Sequence, residues 1–202
     1  MSESQEHCSS STWDIKVRFL HWAITVLVTF QQFSSLWMSD PDSQYLFPYH
    51  RLLGAVATLV LLIFWLYSYA IYDLKVLFPW GGESRQAVKR ELSALLHLHL
   101  PASGHRIGLS SFIHGLGILA LTGCAVTGMV MFSMIPPGHT GPPEDPMAFT
   151  RYTLMHKFFG EALWVYWIGH VTFAILHQLV GDRVFSAIFS LTVKDDNQRQ
   201  DE

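Results

Sequence analysis

Charge is what this sequence has least of. Of its 202 residues only 14% are Asp, Glu, Lys or Arg, and four long runs are free or nearly free of them. The runs are 19–38 (FLHWAITVLVTFQQFSSLWM), 49–72 (YHRLLGAVATLVLLIFWLYSYAIY), 112–135 (FIHGLGILALTGCAVTGMVMFSMI) and 153–180 (TLMHKFFGEALWVYWIGHVTFAILHQLV). About 20 residues suffice for a helix to cross the hydrocarbon of a bilayer, and Glu161 is the only acid inside any run. The pattern excludes an ordinary soluble domain. It sets the expectation of an all-α integral membrane protein, a four-helix transmembrane bundle.

Cysteine is scarce too. Cys8 lies in a polar tail and Cys124 within an apolar run, so a disulfide framework is excluded. The formal net charge of −3 offers no basis for binding nucleic acid. No repeat at a solenoid period is present. The first 18 residues (MSESQEHCSSSTWDIKVR) are polar, and the first apolar run is too long for a signal-peptide core, so it is expected to stay as the first helix. The division expected is a polar tail at 1–18, a membrane domain at 19–193 and a charged, disordered tail at 194–202.

Positive charge is distributed unevenly about the spans. Lys16, Arg18, Lys75, Arg85, Lys89, Arg90, Arg106, Arg183, Lys194 and Arg199 fall in the tails and the 73–111 loop, against Arg51, Arg151 and Lys157 at the opposite ends. The positive-inside tendency then puts both termini and that loop in the cytoplasm. Within the loop, SRQAVKRELSALLHLHL (84–100) reads as a short amphipathic helix at the membrane surface. The outer loop at 136–148 (PPGHTGPPEDPMA) is too rich in Pro and Gly for regular structure.

Histidine is abundant, with 11 in the chain, and several lie at telling depths. His21 and His114 are near the cytoplasmic starts of the first and third spans, and His50 is at the outer start of the second. The fourth span carries His156, His170 and His177. His170 lies about 21 Å deeper than His156, and His177 about 10 Å deeper again, at 1.5 Å per residue. Spacings of 14 and 7 residues bring all three within roughly 40° of one direction. Ionisable side chains in a span face a bundle interior or a cavity.

The levels pair. His50 with His156 share the outer leaflet, and His21 with His170 the inner one. Two facing imidazoles at one level on different helices make axial ligands for a haem, and two such centres would carry electrons across the membrane. Gly54 and Gly160, each one turn past a histidine, would let a flat macrocycle approach. Ala120, Cys124 and Gly128 form a small-residue stripe suited to helix packing. Taken singly, an intramembrane histidine is more often a hydrogen-bonded packing residue; the two matched pairs are the stronger pattern. His177 competes with His170 as inner ligand, and its boundary position suits a propionate or quinone head group. His114 has the same ambiguity. A dedicated transition-metal site is the other chemical reading, but it lacks carboxylate or cysteine company. His97, His99, His105 and His139 read as loop residues.

WDIKVRFLHW at 13–22, YHRLLG at 49–54, SGHRIG at 103–108, TGMVM at 127–131 and MHKFFGEALWVYWIGHVTFAILH at 155–177, followed by Asp182, together resemble the prokaryotic cytochrome b561 family. That family includes the cytochrome b subunits of nickel–iron hydrogenases. The resemblance covers roughly 13–190 and departs at SGHRIG, where the family often has Gly-His-Asn-Pro. It implies a four-helix membrane bundle in the bacterial inner membrane with two b haems, His21 and His170 on the inner one and His50 and His156 on the outer. Arg18, Arg106, Arg51 and Arg151 are candidates to pair haem propionates, with snorkelling as the alternative.

The function expected is transmembrane electron transfer between the quinone pool and a redox partner. A hydrogenase or c-type cytochrome as that partner, and a homodimer, are left open. A free-standing superoxide:quinone oxidoreductase is the second reading, although Asp40, Asp42, Glu144 and Asp145 offset the outer cations that would steer the anion. A non-redox anchor or transporter is the third.

Overall fold

The computed structural model describes residues 15–38, 40–71, 74–79, 81–97, 108–135, 143 and 145–181. Among these the chain is all helical, running α1 (Ile15–Trp37), α2 (Phe47–Ile71), α3 (Leu74–Leu77), α4 (Gly82–Leu96), α5 (Leu109–Met134) and α6 (Pro146–Leu179). A 3-10 turn, Pro41–Leu46, joins α1 to α2. Arg106, the 194–202 tail and most of SGHRIG lie outside the described residues.

The four long helices form a ring. Side-chain contacts join α1 to α2 through Ser34 and His50, α2 to α5 through Trp65 and Thr122, and α5 to α6 through Thr127 and His156. The Trp167 indole closes the ring by donating to Thr29 of α1 at 3.2 Å. Early residues of α1 meet late residues of α6, and the same holds at each seam, so neighbours run antiparallel.

Apolar side chains point outward. Phe19, Val26, Leu52, Leu66, Leu116, Val126, Phe158 and Val165 are exposed, whereas Gln32, Ser34, Ser68 and Thr127 are buried. In water this arrangement would be unstable; in hydrocarbon it places each group in its better solvent. Three helical stretches are long and apolar enough to cross a membrane: Asp42–Ala70, Leu109–Met134 and Pro146–Leu179. The first helix, 23 residues long, is not among them, which differs from the four equivalent spans read from the sequence. The physical reason lies in Gln31, Gln32, Ser34 and Ser35, which dilute its hydropathy yet are turned largely inward, Gln32 being 5% and Ser34 2% exposed.

Helix ends also differ from expectation. α6 begins at Pro146 rather than near 153 because Asp145 caps it, its carboxylate accepting from the Met147 and Ala148 amides at 3.0 Å each. Proline at the first helical position needs no such partner. α5 is started from another helix: Glu91 of α4 accepts from the Leu109 amide at 2.9 Å. That contact fixes α4 against the base of the bundle.

Glycines on α5 set the closest seam. A Cβ at Gly117 would lie 2.5 Å from the Tyr166 ring, and one at Gly123 would lie 2.5 Å from that of Phe159. The Cys124 and Gly128 part of the small-residue stripe likewise faces His156. Gly123→Leu is therefore expected to cost roughly 1–3 kcal/mol of overpacking strain, read as a lower unfolding temperature in detergent. Gly169→Ala, where nothing lies within 4 Å, should be neutral or slightly stabilising.

Candidate functional site

The histidines of α6 meet different helices at two levels. At the level expected to lie outward, termed the outer one, the His50 and His156 rings face each other with centroids 6.4 Å apart. At the inner level, His21 and His170 lie 6.3 Å apart. The levels are separated on α6 by about 21 Å, from the helical rise. Leu163, midway between the two histidines in sequence and 4% exposed, fills the interior between them.

Hydrogen bonds fix the outer level. Ser34 Oγ lies 2.9 Å from His50 Nδ1, and Thr127 Oγ1 lies 3.0 Å from His156 Nδ1. The Cys124 carbonyl is 3.1 Å from the same His156 nitrogen. The Gln31 amide donates to the His50 carbonyl at 3.0 Å, and the Gln32 amide donates to the Gly160 carbonyl at 3.2 Å. Adjacent glutamines of α1 thus tie down the two helices that carry the outer pair.

Ring packing dominates the inner level. Tyr166 stacks on His170 at 5.5 Å and 21°, seated in the space that Gly117 leaves. His114 meets His170 edge-on at 4.9 Å, while its own Nδ1 donates to the Ser110 carbonyl at 2.7 Å.

These separations carry chemical information. A metal–imidazole bond is about 2 Å long, so one ion between two opposed rings holds their centres roughly 6 Å apart. Both cross-helix pairs match that separation, whereas the His114–His170 contact is too short for it. Among the described residues, no three His, Cys, Asp or Glu side chains come together in a metal-binding group. Two donors per level leave a bare ion under-coordinated, but they complete a macrocycle that brings its own four nitrogens. Nothing lies within 4 Å of a Cβ built at Gly160, one turn past His156, which leaves room beside the histidine face. Gly54 differs from the expectation for α2, since its Cβ would touch the Gln31 amide at 3.6 Å.

A family model described as prokaryotic cytochrome b561 matches residues 12–191. The chain belongs to the prokaryotic cytochrome b561 family. It is therefore a multi-pass membrane protein of a family that transfers electrons by means of haem b. No curated protein and no solved structure matches it.

In this cytochrome b561 the arginines divide. Arg51 follows His50, and its Nε and Nη1 are buried with no hydrogen-bond partner among the described residues. Its guanidinium carbon sits 4.6 Å from the centre of the Phe132 ring. A buried cation whose nitrogens lack acceptors is costly unless an anion joins it, and a haem propionate is such an anion. Arg151 is exposed, with Nη2 3.8 Å from Met147 Sδ, and is not brought to the pair. Arg18 lies one turn before His21 on α1, and His177 occupies the last turn of α6.

Ser34, Thr127, Gln31, Gln32, Tyr166 and Glu91 acquire their place at the site only through contacts between helices. A glutamine pair inside an apolar run was the one direct signal, because such a pair in lipid needs an internal partner.

Proposed function

We propose that this cytochrome b561 carries electrons across the membrane through two b haems, exchanging them with the quinone pool at one face and with a redox protein at the other. His50 and His156 would hold the outer haem, and His21 and His170 the inner one. α1 is the fourth span, and the termini and α4 face the cytoplasm, as the surplus of basic residues on that side favours. The observation carrying this reading is the pair of cross-helix histidine separations, 6.4 and 6.3 Å, at two levels of one bundle.

When bound, a haem with two imidazole ligands supplies an iron that changes charge by one while keeping both ligands. The chain does the rest. Each histidine pair spans two helices, so a bound group is clamped by the bundle rather than by one flexible element. Arg51 compensates negative charge at the outer level. Val28, Leu61 and Leu163, all buried, keep water from the interior. α6 alone contributes to both pairs, which fixes the distance between levels by its helical rise.

Quinone linkage draws support from the family and from the cluster of His114, Tyr166 and His170 near the inner face. The test is anaerobic mixing of the purified, oxidised protein with a quinol. Appearance of the reduced b-type bands is expected. Full reduction by dithionite with none by quinol would remove the quinone pool from the proposal.

A further inference from the structure

We propose that Ser34 and Thr127 are positioning residues that fix the tautomer and aim of the two outer histidines and, through them, lower the potential of the outer haem. This rests on the reading of His50 and His156 as axial ligands.

Both hydroxyls are unusually placed. They belong to α1 and α5, neither of which carries an outer ligand, and they are 2% and 3% exposed respectively. Each has its proton directed to its own helix: Ser34 Oγ donates to the Gln31 carbonyl at 3.1 Å, and Thr127 Oγ1 to that of Gly123 at 2.6 Å. A hydroxyl has one proton and two lone pairs. When that proton goes to the helix, what remains for a neighbour is an acceptor. His50 Nδ1 lies against one such oxygen at 2.9 Å, and His156 Nδ1 against the other at 3.0 Å.

The tautomer follows. The Cys124 carbonyl, 3.1 Å from His156 Nδ1, can only accept, so that nitrogen carries the hydrogen. At His50 the ligand reading gives the same answer: with Nε2 given to a metal, Nδ1 holds the hydrogen and donates it to Ser34 Oγ. A neutral imidazole with hydrogen on Nδ1 has its lone pair on Nε2, which is then the nitrogen free to bind a metal. Back-bonding of a serine or threonine to its own helix is common. It does not account for the second contact, which recurs on two separate helices toward the two members of one pair.

An N–H donated to an oxygen makes imidazole a more basic ligand. Greater electron donation favours the oxidised iron and lowers its potential, one of the levers by which a protein tunes haem. Loss of either hydroxyl should therefore raise the outer potential. The change should be smaller for Thr127→Val than for Ser34→Ala, because the Cys124 carbonyl still holds His156.

The test is a redox titration of the full-length, haem-loaded protein in detergent, followed by its visible bands. The outer component is assigned as the one missing from His156→Ala. Ser34→Ala and Thr127→Val are each expected to move that component to higher potential and leave the other in place, whereas Ser34→Thr and Thr127→Ser keep the original value. Retention of both haems with neither component moved overturns the proposal while leaving the ligand assignment intact. If Ser34→Ala loses the outer haem, retention by Ser34→Thr supports the role of the hydroxyl, and loss in both overturns it in favour of simple packing. A protein that keeps both haems in His50→Ala and His156→Ala instead refutes the ligand reading.

Discussion

His156→Ala is expected to halve the haem content, from two per chain to one, and His50→Ala to do the same. The two rings face each other at 6.4 Å from different helices, so each would supply one of two axial bonds to a shared centre. A single remaining imidazole cannot span that interior. The chemistry makes the effects non-additive: the double variant should lose no more haem than either single one, as for residues acting as a unit. Haemochrome spectra normalised to protein measure this directly. Independent loss, with the double variant retaining no haem at all, would mean that the two histidines serve different centres.

The second large effect lies at the inner level, where more histidines compete. His21→Ala or His170→Ala is expected to remove the inner haem and leave the outer one. His114→Ala and His177→Ala should each retain two. Geometry decides among them: His21 stands 6.3 Å from His170, while His114 stands at 4.9 Å, which leaves no room for a metal between rings that each need about 2 Å to it. His177 sits in the last turn of α6, about 10 Å along the helix from His170. Retention of both haems in His170→Ala, with loss in His177→Ala, would reassign the inner ligand. The α absorption bands and their low-temperature splitting distinguish which centre remains.

Much of this arrangement was legible because helical rise is constant. Depth along a span follows from counting, so the histidines could be given levels before any contact was known, and the rings do meet at those levels. The helix classes were legible for a similar reason, since apolar runs in nearly uncharged sequence have few alternatives. What was not legible lay in contacts between residues remote along the chain. Ser34 reaches a histidine 16 positions away and Thr127 one 29 positions away, and no local periodicity marks either. The α6 start was missed because a Pro-rich segment reads as loop, although Asp145 followed by Pro146 is a helix-start signal. The residues that lower the hydropathy of α1 are also those that hold His50 and Gly160 in place.

The outer arginine shows a further limit of sequence. Arg51 and Arg151 carry the same charge near the same ends of their spans, although counting sets Arg51 beside His50 and Arg151 about 7.5 Å along the helix from His156. Arg151 is exposed; Arg51 has its Nε and Nη1 buried, with the guanidinium over the rings of Phe47 and Phe132.

The most direct measurement is the ratio of haem b to polypeptide in the purified full-length protein, taken beside that of His156→Ala. Two are expected for the natural sequence and one for the variant, both with dithionite-reducible b-type spectra. A ratio of one in the natural sequence, or a variant that keeps both haems, would contradict the two-haem proposal.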